Sequence, residues 1–244
     1  MASWSWGATL LVFLCFSACG GELITKLPGQ PKNVGFKQYS GYTVTDAGHG
    51  RALFYYFVEA DSADPLSRPL TVWFNGGPGC SSFGVGAFME NGPFQVGENG
   101  KLLRNEFSWN LESNMLPLQY QQDNLDMNII PLVLDILKEG IPILLFSGDQ
   151  DSLIPLTQTR TIANILAEDA KLLTLNKYGP WYDGKQVGGW SQSFGEERDG
   201  KNVTSLTYAT VRGAAHEVPF SSPSQALTLF LSFLKGSALP RPHA

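Results

Sequence analysis

The chain has 244 residues, 43% of them hydrophobic and 16% charged, with a formal net charge of −5. That length and composition support a domain with a buried core and exclude a disordered or collagen-like chain. No basic run accompanies the acidic balance, so neither nucleic acid nor an anionic membrane surface is an expected partner.

Residues 1–20, MASWSWGATLLVFLCFSACG, carry no charge and hold an apolar run from Ala8 to Phe16 followed by small residues. This reads as a signal peptide, too short to span a bilayer, which needs about 20 apolar residues. It places the remaining chain, 21–244, in the secretory pathway, extracellular or vacuolar, with no membrane attachment after cleavage. The basic start of a signal peptide is missing, and Cys19 at the end of the segment also fits a lipoprotein cleavage site. With Cys15 and Cys19 in the removable part, Cys80 is the remaining cysteine. A single thiol in a secreted chain means an intermolecular bridge, a reactive cysteine, an absent partner, or a small buried hydrophobe.

Residues 38–47 and 52–59 are rich in aromatic and β-branched residues and flank the turn GHGR, which predicts an antiparallel hairpin. Pro65 to Pro69 marks a loop. LTVWFN, 70–75, is a short apolar strand that stops at Gly76-Gly77-Pro78-Gly79, where glycines allow backbone amides to face a ligand. Residues 105–124 show no sustained periodicity and join two better-formed halves. The apolar spacing of 129–140 predicts a helix and 141–151 a buried strand ending in acidic residues. An amphipathic helix over 157–170 follows, then a hairpin around Asp183-Gly184. Residues 205–217 read as a strand running into a loop with His216. The last helix, 222–236, is expected to be capped by Ser222, opened by Pro223 and ended by Gly236. Hairpins followed by alternating strands and helices predict an α/β protein with a mixed, mostly parallel sheet and flanking helices. The sequon Asn202-Val203-Thr204 lies in a polar stretch and fits a glycosylated surface loop.

Three features follow strands: the glycine loop 75–79, the turn SGDQD ending at Asp151, and RGAAHEVP holding His216. In α/β hydrolases the acid and then the base follow the nucleophile along the chain, and Asp151 and His216 fit those two places. A serine hydroxyl needs an imidazole to take its proton, and the imidazole needs a carboxylate to orient it. Singly these features are weak, since Asp149 or Asp151 alone can cap a helix and a loop histidine commonly faces solvent. His49 and His243 read as surface residues without a role. No metal site and no cofactor is assigned.

The stretches ITKLPGQP, FKQYSGY, LFYYFVEA, WFNGGPGCSS, ENGPF, SWNLESNML, SGDQDSLIPLTQTR, QVGGW and VRGAAHEVPFSSPSQAL resemble the serine carboxypeptidase family, most closely its plant members, in the right order over most of 24–235. The resemblance implies an α/β-hydrolase fold, release of C-terminal residues from peptides through an acyl-enzyme, and peptide or protein C-termini as partners. It implies that Asp151 is the catalytic aspartate, His216 the general base, and Gly77 the donor of half the oxyanion hole. Asn75, Gly76 and Glu90 match the residues that grip the substrate's terminal carboxylate, for which a neutral amide and a protonated acid can donate hydrogen bonds. Related acyltransferases tend to lack the asparagine before the glycine pair, so Asn75 favours the peptidase side.

The nucleophile is missing. No G-x-S-x-G occurs anywhere: Gly79-Cys80-Ser81-Ser82-Phe83 and Gly189-Trp190-Ser191-Gln192-Ser193 both fail at the fifth place. The family's own G-E-S-Y-A-G, expected between SWN and SGDQD, is absent, and the short interval there has no room for it. The resemblance therefore implies an incomplete fold, lacking central strands, nucleophile and helical lid insertion, with a seam near Met115 to Leu118. It also implies that the disulfide partner of Cys80 and a second glutamate beside Glu90 are gone with the block. Ser81 and Ser82 are expected to cap a helix rather than attack. The expected chain is a truncated serine-type carboxypeptidase, a hydrolase by family, inactive for want of its nucleophile; a noncatalytic secreted peptide-binding protein and an acyltransferase-type relative are the alternatives.

Overall fold

A computed structural model describes residues 21–76, 80–118, 128–198 and 200–241. The chain forms two compact units, Met1–Leu125 and Asp126–Ala244. The sequon, Asn75, Gly76, Glu90, Asp151 and His216 fall among the described residues. The signal segment and Gly77 lie outside them.

The first unit contains β1 (Glu22–Ile24), β2 (Gln38–Asp46), β3 (Arg51–Val58), β4 (Leu70–Trp73), β5 (Phe94–Val96), β6 (Leu102–Arg104) and β7 (Asn114–Pro117). Its main sheet runs β1-β2-β3-β7-β4, and β5 pairs with β6 separately. The β2–β3 hairpin turns where expected: the Asp46 carboxylate accepts the His49 N–H at 3.2 Å, and Gly50 takes the left-handed conformation at φ 64°. Tyr55 to Val58 are all buried, so this half of β3 is covered on both faces and reads as an unbroken apolar run.

β7 pairs parallel with β4 from Leu70↔Asn114 to Trp73↔Pro117. A parallel pair needs a long crossover, here 74–113, which carries a π-type helical segment (Ser82–Glu90), the β5–β6 hairpin and a 3₁₀ turn (Trp109–Leu111). The stretch 105–124 thus contains a strand that periodicity did not reveal. Four residues ending in proline are too few to show alternation, and Asn114 works as a polar staple, accepting Ala60 N–H at 3.0 Å and donating to the Pro65 carbonyl at 2.8 Å.

The second unit contains α1 (Ile130–Lys138), β8 (Ile143–Gly148), α2 (Leu156–Asp169), β9 (Leu173–Asp183), β10 (Gln186–Arg198), β11 (Lys201–Val211), the single turn α3 (Val218–Ser221) and α4 (Pro223–Leu234). The sheet order is β8-β11-β10-β9. Leu137 of α1 and Ala163 and Leu166 of α2 pack on Phe194, Leu206 and Tyr208 from one face. Ala226 and Leu229 of α4 pack with Trp181, Ala209 and Val211 on the other. Both faces of β11 are therefore buried, and each fully buried leucine contributes about 1.5–3 kcal/mol. Gly188 and Gly189 permit this closeness: a Cβ on Gly188 would come within 2.4 Å of the Trp181 ring and one on Gly189 within 1.8 Å of the Thr210 carbonyl.

Three expectations need correction. The sheets are mixed, but among the described residues parallel pairing is confined to β4 with β7 and β8 with β11; the other pairs are antiparallel, imposed by tight hairpins at β2–β3, β9–β10 and β10–β11. Ser222 makes no side-chain cap: at φ −143° and ψ 63° it leads into Pro223 at the first helical position without its hydroxyl accepting from the first turn. Asn202 lies in β11 opposite Glu197, exposed at the solvent side of a strand rather than in a loop.

Candidate active site

The paired loops after β8 and β11 bring Asp151 and His216 together. The two strands run parallel, so their C-terminal ends lie side by side and project both loops from one sheet end. Backbone bonds then lace the loops together: Asp149 N–H to the Val211 carbonyl at 3.0 Å and Gln150 N–H to Ala214 at 2.9 Å. Gly148 makes that approach possible, because a Cβ there would sit 2.2 Å from the Ala214 carbonyl oxygen.

Asp151 Oδ2 lies 2.9 Å from His216 Nδ1. An ionised carboxylate can only accept, so Nδ1 carries the proton and Nε2 is left as the basic nitrogen. The Asp151 side chain is 4% exposed and that of His216 44%, which shields the orienting acid and opens the imidazole. Asp151 does not cap α2, which begins five residues later. Its Oδ1 instead accepts the Leu153 and Ile154 N–H groups at 2.8 and 3.0 Å. Burial pushes the Asp151 carboxyl up, but the Ile154 N–H, His216 and the Leu153 N–H outweigh it and hold the acid below its ordinary value.

Two supporting roles escaped the sequence reading. Asp149 Oδ1 accepts the Gly213 N–H at 2.7 Å, and Ser221 Oγ accepts the Ala215 N–H at 3.0 Å, so both brace the loop that presents His216. The signal for Asp149 was its place as the first acid of GDQD; nothing in the sequence marks Ser221.

In the first unit, Asn75 and Glu90 are brought together. Both are buried, and Asn75 Nδ2 donates to Glu90 Oε1 at 2.7 Å. Trp73 Nε1 donates to Asn75 Oδ1 at 2.7 Å, which fixes the amide's orientation. Gly76 is exposed beside them. Ser81 Oγ accepts the Gly84 N–H at 2.9 Å, capping the π-type segment, and Ser82 Oγ accepts the Asn75 N–H at 2.9 Å. Both serines hold backbone in place. Cys80 is a free, half-buried thiol. Among the described residues, no three His, Cys, Asp or Glu side chains cluster to hold a metal ion, and no helix is long and apolar enough to cross a membrane.

An aspartate–histidine pair carried past adjacent parallel strands, between layers of helices, defines an α/β-hydrolase architecture present in part. The family model for serine carboxypeptidases matches residues 28–120 and 117–236, and the chain belongs to that family. It is similar to serine carboxypeptidase-like 46 of Arabidopsis thaliana, 28% identical over 442 residues, covering 90% of this chain and 93% of the relative. That aligned span exceeds the 244 residues of this chain, so a large part of the relative faces no residue here. Over a shorter stretch of 96 residues it is 56% identical to the P-(S)-hydroxymandelonitrile lyase of Sorghum bicolor, covering 39% of this chain and 19% of the lyase. Among solved structures it is similar to the prohormone-processing carboxypeptidase KEX1(DELTA)P of Saccharomyces cerevisiae, with 25% identity and a TM-score of 0.30, over 56% of this chain and 35% of that one.

Proposed function

We propose that this chain is a serine carboxypeptidase family member that keeps the acid–base pair but has lost the nucleophile, and does not hydrolyse peptides. The observation that carries the reading is the Asp151–His216 hydrogen bond at 2.9 Å in a sequence with no G-x-S-x-G. His216 is set to receive a proton, but the sequence holds no G-x-S-x-G elbow whose serine would supply one. Without that hydroxyl no acyl-enzyme forms. Loss of the nucleophile alone costs about 10⁶ in kcat in the comparable subtilisin series.

The reading includes an internal deletion with its seam at Met115 to Leu118. The two family matches meet at 117–120, which supports it, as does the free thiol of Cys80, whose family disulfide partner would lie in the missing block. The second oxyanion amide, on the residue after the nucleophile, would be lost with it and leave Gly77 alone. The leader at 1–20 routes the chain into the secretory pathway, to the vacuole or the exterior.

The Asn75–Glu90 pair favours a second reading, a noncatalytic protein that binds peptide C-termini through Asn75, Gly76 and Glu90. Asn75 favours the peptidase side over acyltransferase-type relatives. The test pairs turnover with binding. A blocked dipeptide with a free terminal carboxylate should show no hydrolysis above background in either case. Calorimetric binding of that dipeptide, absent for its C-terminal amide, would establish the binding module; measurable release of the terminal residue would refute the proposal.

A further inference from the structure

We infer that the cavity beside the sequon is the seat of a carbohydrate attached at Asn202, so that the glycan is part of the packed surface of the second unit. The inference rests on the secretory routing proposed above. All three sequon residues, 202–204, line a cavity of about 340 Å³ between the sheet and the stretch from α4 to Arg241. That volume lies within the range of small-ligand pockets, about 300–1,000 Å³.

Its chemistry suits a neutral sugar. The wall carries hydroxyls, among them those of the buried Ser191 and Ser205, and Arg241 is the one charged residue among the described residues lining it. Hydroxyls both donate and accept, which matches the mixed donors and acceptors of a polyol. Phe233 of α4, 36% exposed, also lines the cavity and offers an aromatic surface to the C–H face of a sugar ring. Asn202 is exposed at its rim on β11, where a modifying enzyme can reach it. In the attachment, Asn202 Nδ2 bonds to C1 of an N-acetylglucosamine delivered on a polyprenyl diphosphate. The C1–O bond to the diphosphate breaks, the lipid diphosphate leaves, and one amide proton is released.

The full chain, leader included, is translated with microsomes and the glycan challenged with an endoglycosidase that cuts within the core disaccharide, in native and in denatured lysate. N202Q should abolish the mass shift, which assigns the glycan. Native cleavage should be at least about tenfold slower than denatured cleavage, the factor given by ~1.4 kcal/mol of docking. F233A should keep full glycan occupancy and restore fast native cleavage. Absence of any glycan at Asn202 overturns both the inference and the routing. A glycan cut equally fast in native and denatured chain, or protection unchanged in F233A, overturns the inference alone.

Discussion

The carboxyl of Asp151 is held by three donors, and its depressed pKa sets a direction for stability. A carboxylate whose folded pKa lies below its unfolded value contributes stability above the unfolded value, about 3.9, and loses it as pH falls through the folded one. Asp151→Asn should therefore cost about 1.5–3 kcal/mol at pH 7, the range for hydrogen bonds to charged groups, and progressively less as pH falls below the unfolded value toward about 2. Urea melts of both proteins at the two pH values check this. Asp149 acts on the same imidazole from further back. Removing its carboxylate in Asp149→Ala frees the Gly213 N–H, and the His216 Nδ1–H resonance should exchange faster with solvent in NMR spectra while Asp151 is untouched. At this scale the sequence announced the chemistry through residue type and order, as with Asp151 and His216. It concealed the braces, because Ser221 and Ser82 act through backbone groups whose positions only the fold defines.

Elements were legible where they were long and periodic. The helices expected over 157–170 and 222–236 form over Leu156–Asp169 and Pro223–Leu234, and the hairpin forms at Asp183-Gly184. β1, β5, β6 and β7 have three or four residues each, below the length at which alternation shows, and arise from pairing across the chain. β10 was legible only as the start of that hairpin's second arm; its full length was hidden because its register shifts three times against β9, and each irregularity breaks the two-residue period. Trp181 ties this sheet together by donating its Nε1–H to the buried Thr210 carbonyl at 2.9 Å. Trp181→Phe leaves that carbonyl without its partner and should cost about 1–3 kcal/mol in chemical denaturation, whereas Trp190→Phe, at a 39% exposed position, should be close to neutral. Gly148→Ala drives a methyl group into the Ala214 carbonyl and should cost about 1–3 kcal/mol, since the laced loops leave that oxygen no room to retreat.

At the scale of the molecule, each unit ends in an open sheet edge: β4 in the first and β8 in the second have one strand neighbour among the described residues. Leu70, Val72 and Phe74 on or beside β4, and Ile129, Leu132 and Ile141 around α1, are exposed large apolar side chains. Open edges flanked by apolar surface template association between chains. Expressed without its proposed missing block, the protein should elute as aggregates or remain chaperone-bound in size-exclusion chromatography; a soluble monomer with one sharp melting transition would contradict that. Sequencing the transcript across the codons for Met115 to Leu118 locates the seam independently, because a reading frame of several hundred residues there would make this chain a partial copy of an intact enzyme. The account turns on whether any serine of this chain is a nucleophile. Reaction with a fluorophosphonate followed by intact-mass measurement tests that most directly: the mass should stay unchanged, and one adduct per chain on a serine, Ser81 and Ser82 included, that disappears in His216→Ala would contradict it.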